Sequence, residues 1–368
     1  MSAPRSVGVP AEIKPDERRV AVTPDGVREL VAAGVHVLVE SGAGMGAGLD
    51  DDAYRGAGAE VVAEAGEVWE RSDLVCKVKE PQVSEFAHLR EDLTLFTFLH
   101  LAAYPKVATA LCDAGTTGIA YETVMRPDGQ LPLLAPMSEI AGRLATQAGA
   151  RFLEAPQGGR GVLLGGAIGV RPARVVVIGA GHVGWNAARV AAGMDAEVVL
   201  MDRDLDRLRE VDRDRVGRVT TMASNRGSVE RCVAEADLLI GAVLVAGGRA
   251  PVVVDEEMVR SMRAGSVVVD VAIDQGGCVQ TSTETSHHDP VVEHHGVLHY
   301  AVGNIPGAVP HTSTFALTNA TLPYLAGLAR WGVDGACERT PSLAGGVNTR
   351  HGEIVNPVVA EALEGGGG

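Results

Sequence analysis

The sequence predicts an α/β protein of two doubly wound, parallel-sheeted domains, one inserted into the other. Three observations lead there. Short apolar runs alternate with amphipathic stretches along most of the chain, the pattern of parallel strands joined by helices. A strand, glycine loop, helix and second strand follow one another at 174–202, in the middle of the chain. Helical patterns at 138–155 and 312–330 flank that unit, so the chain leaves one domain for another and then crosses back.

Bulk properties bound the rest. A chain of 368 residues suits two domains. Aromatic residues are only 4%, so Val, Ala and Leu must build the cores. The net charge of −15 argues against nucleic acid or an anionic membrane surface as partner, because both need a basic face. A small anionic substrate needs only a local pair of cations. The five cysteines (Cys76, Cys112, Cys232, Cys278, Cys337) form no C-x-x-C pair and read as reduced thiols. The first twenty residues lack the apolar core of a signal peptide, and no uncharged apolar run of about 18 residues occurs. A cytoplasmic protein without membrane segments is expected.

In the N-terminal half, strands are expected at 6–9, 35–40, 74–78, 93–98 and 118–121. A helix at 24–33 opens on a Thr23 cap, with Pro24 in its first turn. In the 138–155 helix Ile140, Leu144 and Ala148 recur at helical spacing, and the glycine-rich stretch 158–169 then breaks the pattern. The run 174–178 is a buried strand, followed by Gly179-Ala180-Gly181-His182-Val183-Gly184, a helical run to 193 and a strand at 197–201 ending at Asp202. Alone G-x-G-x-x-G says little; strand, glycines, helix and an acid about 20 residues on make a Rossmann-type dinucleotide fingerprint. Gly179 permits the tight turn, Gly181 admits the pyrophosphate, and Gly184 lets helix pack on strand. Asp202 would bind ribose hydroxyls and repel a 2′-phosphate, favouring NAD over NADP, with Arg203 and Arg207 as the opposing cations. His182 is unusual in such a loop.

Further strands fit 237–242, 267–271 and 297–302, and each runs into a segment at the carboxyl edge, where doubly wound sheets bind ligands. From Trp331 the tail reads as loop-rich and weakly helical, completing the first domain. The expected division is 1–135 with 311–368 as substrate and catalytic domain, and 136–310 as NAD-binding domain.

Arg19, Lys79 and His100 follow the first, third and fourth strands, so a parallel sheet would project all three from one edge. Arg suits bidentate carboxylate binding, Lys can polarise a carbonyl, and His can move a proton near neutral pH. Only four of 32 basic residues are lysine, and two of them share Lys77-Val78-Lys79. They point to one side while a strand persists, so alternation alone cannot choose between them. Asp270 and Asp274 follow the 267–269 run, Asp274 in a glycine-flanked turn. The histidines at 287, 288, 294, 295 and 299 lack a tight helical H-x-x-x-H placement and surround Pro290, which reads as a polar exposed loop and not a metal site.

The segments EIKPDERRVAVTP, KVKEP, FTFLHLA, GTTGIAYET, LPLLAPMSEIAGRLA, GGRGVLLGG, VVVIGAG, DLLIGAVLV, VDVAIDQGG and TSTFALTNATLPY, in this order, resemble the alanine dehydrogenase and transhydrogenase α-subunit family. KVKEP, FTFLHLA and AIDQGG together favour alanine dehydrogenase. The resemblance implies reversible, NAD-dependent oxidative deamination of L-alanine to pyruvate and ammonium. By motif match, Arg19 and Lys79 would hold the substrate, and His100 and Asp274 would be the acid and base. Cofactor contacts would come from Ser138, Gly179, Gly181, His182, Val183, Gly184, Asp202, Arg207, Ser224, Val243, Leu244, Val271, Asp274, Val302, Asn304 and Ile305. A homohexamer is implied as well. The competing readings are transhydrogenase-like transfer of hydride between nucleotides and a catalytically silent NAD-binding protein.

Overall fold

The computed structural model describes residues 6–214, 218–243 and 250–365. The chain begins with β1 (Ser6–Val9), α1 (Pro24–Ala32), β2 (His36–Glu40), α2 (Asp51–Ala57), β3 (Glu60–Val62), α3 (Ala65–Arg71), β4 (Leu74–Cys76), β5 (Thr94–Thr97), α4 (Pro105–Asp113), β6 (Thr117–Ala120) and α5 (Ala135–Phe152). It continues with β7 (Arg174–Ile178), α6 (His182–Gly193), β8 (Glu197–Asp202), α7 (Leu205–Asp214), β9 (Val219–Ala223), α8 (Arg226–Glu235), β10 (Leu238–Gly241), α9 (Glu256–Ser261), β11 (Val267–Asp270), β12 (Val291–His294) and β13 (Val297–Tyr300). It closes with α10 (Pro310–Arg339), β14 (Val347–Arg350), β15 (Glu353–Ile354) and α11 (Pro357–Gly365). Two compact units result: Met1–Met137 with Val309–Gly368, and Ser138–Ala308.

The first unit carries a sheet in the order β15-β14-β6-β5-β4-β1-β2-β3. The six strands from β1 to β6 are parallel, and β14 joins β6 antiparallel. Local chemistry starts its first helix as expected: Thr23 Oγ1 accepts the Gly26 N–H at 3.3 Å and Pro24 takes the first turn. The tail departs from expectation. Residues beyond Trp331 are not loop-rich: α10 runs on to Arg339 past a kink at Gly332 (φ 68°), and β14, β15 and α11 follow. Thr349 ties β14 to the sheet, accepting the Gly118 N–H and donating to the Thr116 carbonyl, both at 3.0 Å. Val359 of α11 joins the core around Leu95, Leu111 and Ala120.

The second unit's sheet has the order β12-β13-β11-β10-β7-β8-β9, parallel except for β12. Its central strands β7, β10 and β11 are apolar on both faces because both are covered. Val175 and Val177 of β7 belong to one core, Val176 and Ile178 to the other. On one face α5 and α6 lock together: Thr146 donates to the Ala187 carbonyl at 2.9 Å and Arg143 Nε to Asn186 Oδ1 at 3.0 Å. The histidine-rich segment is not the polar loop expected. Val291–His294 and Val297–Tyr300 form a hairpin, turning on His295 (φ 55°) and Gly296 (φ 76°). Two successive positive φ values are what a tight two-residue hairpin turn requires. His299 is 1% exposed, with its Nε2 2.8 Å from Thr281 Oγ1, and burial brings its pKa down to about 4. No group of three or more metal-ligating side chains occurs among the described residues.

Candidate active site

In the second unit the parallel sheet gathers the cofactor candidates on one edge. The 179–184 loop follows β7, Asp202 ends β8, Ser224 follows β9, and Val243 follows β10. Val271 and Asp274 follow β11, and Val302, Asn304 and Ile305 follow β13. Arg207 comes from α7 and Ser138 from α5, while Leu244 lies outside the described residues. The strand order reverses at β7, which has β8 and β9 on one side and β10 and β11 on the other; ligands bind at such a switch point.

The three glycines divide their work as the fingerprint requires. Gly179 has φ 106°, and a Cβ there would stand 2.4 Å from the Ala242 carbonyl oxygen. At Gly184 a Cβ would be 1.7 Å from the Gly179 carbonyl oxygen. At Gly181 the nearest atom among the described residues would be Arg207 Nη1 at 3.9 Å, so of the three this glycine has room beside it. A diphosphate there would lie over the first turn of α6, whose N–H groups have no intrahelical partners. Asp202 braces the cradle. Its Oδ2 accepts the Ala180 N–H at 2.7 Å and its Oδ1 the Asp204 N–H at 2.8 Å, with Arg207 Nη1 4.0 Å away. His182 is exposed at the start of α6.

The two aspartates after β11 separate clearly. Asp270 is wholly buried and accepts the Ala272, Cys278 and Val279 N–H groups, so it holds the turn together. Asp274 is exposed, and its Oδ1 accepts the Asn304 N–H at 3.4 Å, joining the ends of β11 and β13.

In the first unit Arg19, Lys79 and His100 stand on connections that leave β1, β4 and β5, which are adjacent and parallel. Carboxylates the sequence reading did not single out hold each one. Glu17 takes Arg19 in a bidentate grip, Nε to Oε1 at 2.7 Å and Nη2 to Oε2 at 2.5 Å, with Arg19 only 2% exposed. Burial works to raise the Glu17 pKa, but the Arg19 guanidinium, with help from the Lys79 ammonium, brings it down to about 2. Arg19 and Lys79 therefore share one anionic neighbour.

Lys79 is half-buried, and its backbone is pinned at both ends. Glu12 Oε1 accepts the Val78 N–H at 2.6 Å and the Lys79 N–H at 3.4 Å, while Thr97 Oγ1 donates to the Lys79 carbonyl at 2.9 Å. Lys77 differs sharply. It is 0% exposed, with its ammonium 2.8 Å from Glu85 and 3.3 Å from Glu12. Because β4 ends at Cys76, the strand alternation that would have kept the two lysines on one side has lapsed. Lys14 ties the three connections together, donating to Glu80 at 2.6 Å and to the Tyr104 hydroxyl at 3.1 Å.

His100 follows β5 in a left-handed conformation (φ 46°) with its imidazole 36% exposed. Its ring stacks on Phe98, centroids 5.5 Å apart. Glu122 accepts its backbone N–H at 2.6 Å. The acids in EIKPDERR and the YET that follows β6 were the available signals for these partners; only the tertiary pairing reveals what they hold.

Comparisons with known proteins span nearly the whole chain. Residues 8–141 match the family model for the alanine dehydrogenase/PNT N-terminal domain and 145–357 that for its C-terminal domain. The chain is 52% identical over 357 residues to an alanine dehydrogenase of Mycobacterium tuberculosis (strain CDC 1551 / Oshkosh), covering 97% of this chain and 96% of that one. A solved L-alanine dehydrogenase superposes with a TM-score of 0.94 at 51% identity, over 98% of this chain and 99% of that one. A transhydrogenase from Sinorhizobium meliloti shares the fold, with a TM-score of 0.79 at 24% identity over 96% and 99% of the two chains.

Proposed function

The chain belongs to the alanine dehydrogenase/PNT family, and we infer that it catalyses the reversible, NAD-dependent oxidative deamination of L-alanine to pyruvate and ammonium. The observation that carries the reading from the geometry is the set of Arg19, Lys79 and His100 on three adjacent connections at one sheet edge. Such a set offers a carboxylate-binding cation, a carbonyl-polarising amine and a proton carrier.

Glu17 holds the Nε–Nη2 side of the Arg19 guanidinium. The substrate carboxylate would meet the side carrying Nη1, near Met137 Sδ at 3.1 Å. Lys79 would hold the oxygen that becomes the pyruvate carbonyl. Bound NAD supplies the acceptor for the electron pair of the Cα–H bond. The resulting iminium carbon takes up water: Asp274 would accept a proton from that water or from the ammonium nitrogen. Protonated His100 would stabilise the carbinolamine oxygen as it forms.

On the same reading, residues 1–135 and 311–368 bind the substrate and 136–310 bind NAD. A cytoplasmic homohexamer is the proposed form, supported by the family resemblance. Among the described residues no helix is long and apolar enough to cross a membrane.

The test is absorbance of NADH with purified protein, NAD and L-alanine at alkaline pH, followed by a panel of other amino acids and the reverse reaction with pyruvate and ammonium. Alanine-dependent NADH formation, reversed by pyruvate plus ammonium, is expected. Hydride exchange between nucleotides with no response to alanine would replace this reading by the transhydrogenase-like one, and NAD binding without either reaction by a silent binder.

A further inference from the structure

We propose that Glu122 is a positioning residue for the reaction, acting only through His100 by fixing the backbone that presents the imidazole. The inference rests on the reading of His100 as a proton carrier. Strand register brings the two together. Thr97 of β5 pairs with Ala120 of β6, so the residues just beyond each strand meet at the same edge. Glu122 lies on a 3-10 turn, Tyr121–Thr123, and its side chain is 13% exposed.

One carboxylate serves two successive N–H groups. Glu122 Oε1 accepts the His100 N–H at 2.6 Å, and the Leu99 N–H lies 3.3 Å from each carboxylate oxygen. Oε1 is also 3.8 Å from His100 Nδ1. The His100 carbonyl accepts the Ala103 and Tyr104 N–H groups at 2.8 and 3.1 Å, so the peptide is held on both sides. A left-handed φ is uncommon for a histidine and persists only where its surroundings impose it. Here the carboxylate below and the turn beyond impose it, and Phe98 then carries the ring.

The turn that bears Glu122 is itself fixed. Tyr121 is wholly buried, packs edge-on against Phe96 and Phe98, and donates its hydroxyl hydrogen to the Lys77 carbonyl at 2.9 Å. Thr123 Oγ1 donates to Asn348 Oδ1 at 2.8 Å. Glu122 thus transmits a rigid frame to a residue that would otherwise choose its own backbone conformation. Misplacing a reacting group by about 1 Å is enough to cost on the order of 10²-fold in rate.

The experiment is a double-mutant cycle on the full chain, reading kcat and KM for L-alanine, NAD affinity by titration, and the thermal midpoint. Glu122→Ala is expected to lower kcat by roughly 10²-fold with NAD affinity unchanged. Glu122→Gln, which keeps an oxygen able to accept both N–H groups, is expected to recover most of it. In a His100→Ala background Glu122→Ala is expected to change kcat by less than about twofold, because residues acting as a unit fail as a unit. Glu122→Met, of similar volume but without an acceptor, serves the cycle if the alanine variant does not fold. Multiplicative losses in the double variant, or parent-like kcat in both Glu122→Ala and Glu122→Met, overturn the proposal while leaving His100 in its role. Parent-like turnover in His100→Ala alone overturns the proton-carrier reading itself.

Discussion

The Lys77 ammonium lies 2.8 Å from the Glu85 carboxylate with no exposure to solvent, two residues before the half-buried Lys79. The ion pair satisfies a buried carboxylate on each side of it, since Glu12 is 3.3 Å away. Burial raises the Glu12 pKa, and the Lys77 charge opposes that shift. One lysine therefore holds the fold, and its neighbour is the one proposed to meet the substrate.

Lys77→Ala leaves two buried acids without their cation. Removing one partner of a buried pair costs about 3–5 kcal/mol, so urea unfolding should show a loss of that order. Lys79→Ala should leave the unfolding midpoint near that of the parent and abolish most turnover. The reverse pattern would exchange the two roles.

Acid stability should trace Glu17. Its pKa of about 2 lies below the ordinary 4.5, so the pair with Arg19 stabilises fully above that ordinary value and its contribution drains away as pH falls toward 2. The difference corresponds to about 3 kcal/mol at neutral pH. Glu17→Gln should therefore be less stable than the parent at pH 7, with the gap narrowing between about pH 4.5 and pH 2. Urea midpoints across that range measure it; a gap independent of pH would contradict the pairing.

Gly181→Ala and Gly184→Ala should part company. A methyl at 184 collides with the Gly179 carbonyl, so that variant should fail to fold or melt far earlier. Among the described residues a methyl at 181 meets nothing closer than 3.9 Å, so the fold should survive. NAD affinity should then fall by about tenfold or more, roughly 1.4 kcal/mol, because the methyl occupies the diphosphate's place. Thermal melting and NAD titration of both variants decide.

Asp202→Ala should weaken NAD and narrow its advantage over NADP. The change removes the group opposing a 2′-phosphate and releases Arg207, now 4.0 Å from the carboxylate. Adding Arg207→Ala should take back the gain in NADP. Unchanged discrimination, measured as the ratio of kcat/KM for the two cofactors, would remove Asp202 from this role.

The fold was legible where sequence and pairing carry the same message. The apolar run at 175–178 reads as a strand buried on both faces because a glycine loop bounds it, and Gly179 and Gly184 leave no room there for a side chain. The tail was illegible because β14 is Val-Asn-Thr-Arg, without alternation, and its reason for being a strand is β6, more than 220 residues earlier. The hairpin at 291–300 did carry a signal, His-Gly between two strand-like runs, masked by the density of histidines. In the candidate site the cations and the histidine could be singled out from the sequence. Their carboxylate partners could not, because an acid's role depends on which neighbouring connection it reaches.

The central claim of the proposed function is that His100 and Asp274 each carry a proton for the one reaction. It is tested most directly by turnover of L-alanine in His100→Ala, Asp274→Ala and the double variant, with NAD affinity titrated for each. Removal of a proton-transfer group costs about 10²–10⁴-fold, so each single variant should lose turnover in that range. His100→Ala should bind NAD as the parent does, and the double variant should lose far less than the product of the single losses. Near-normal turnover in His100→Ala, or losses that simply multiply, would contradict the account.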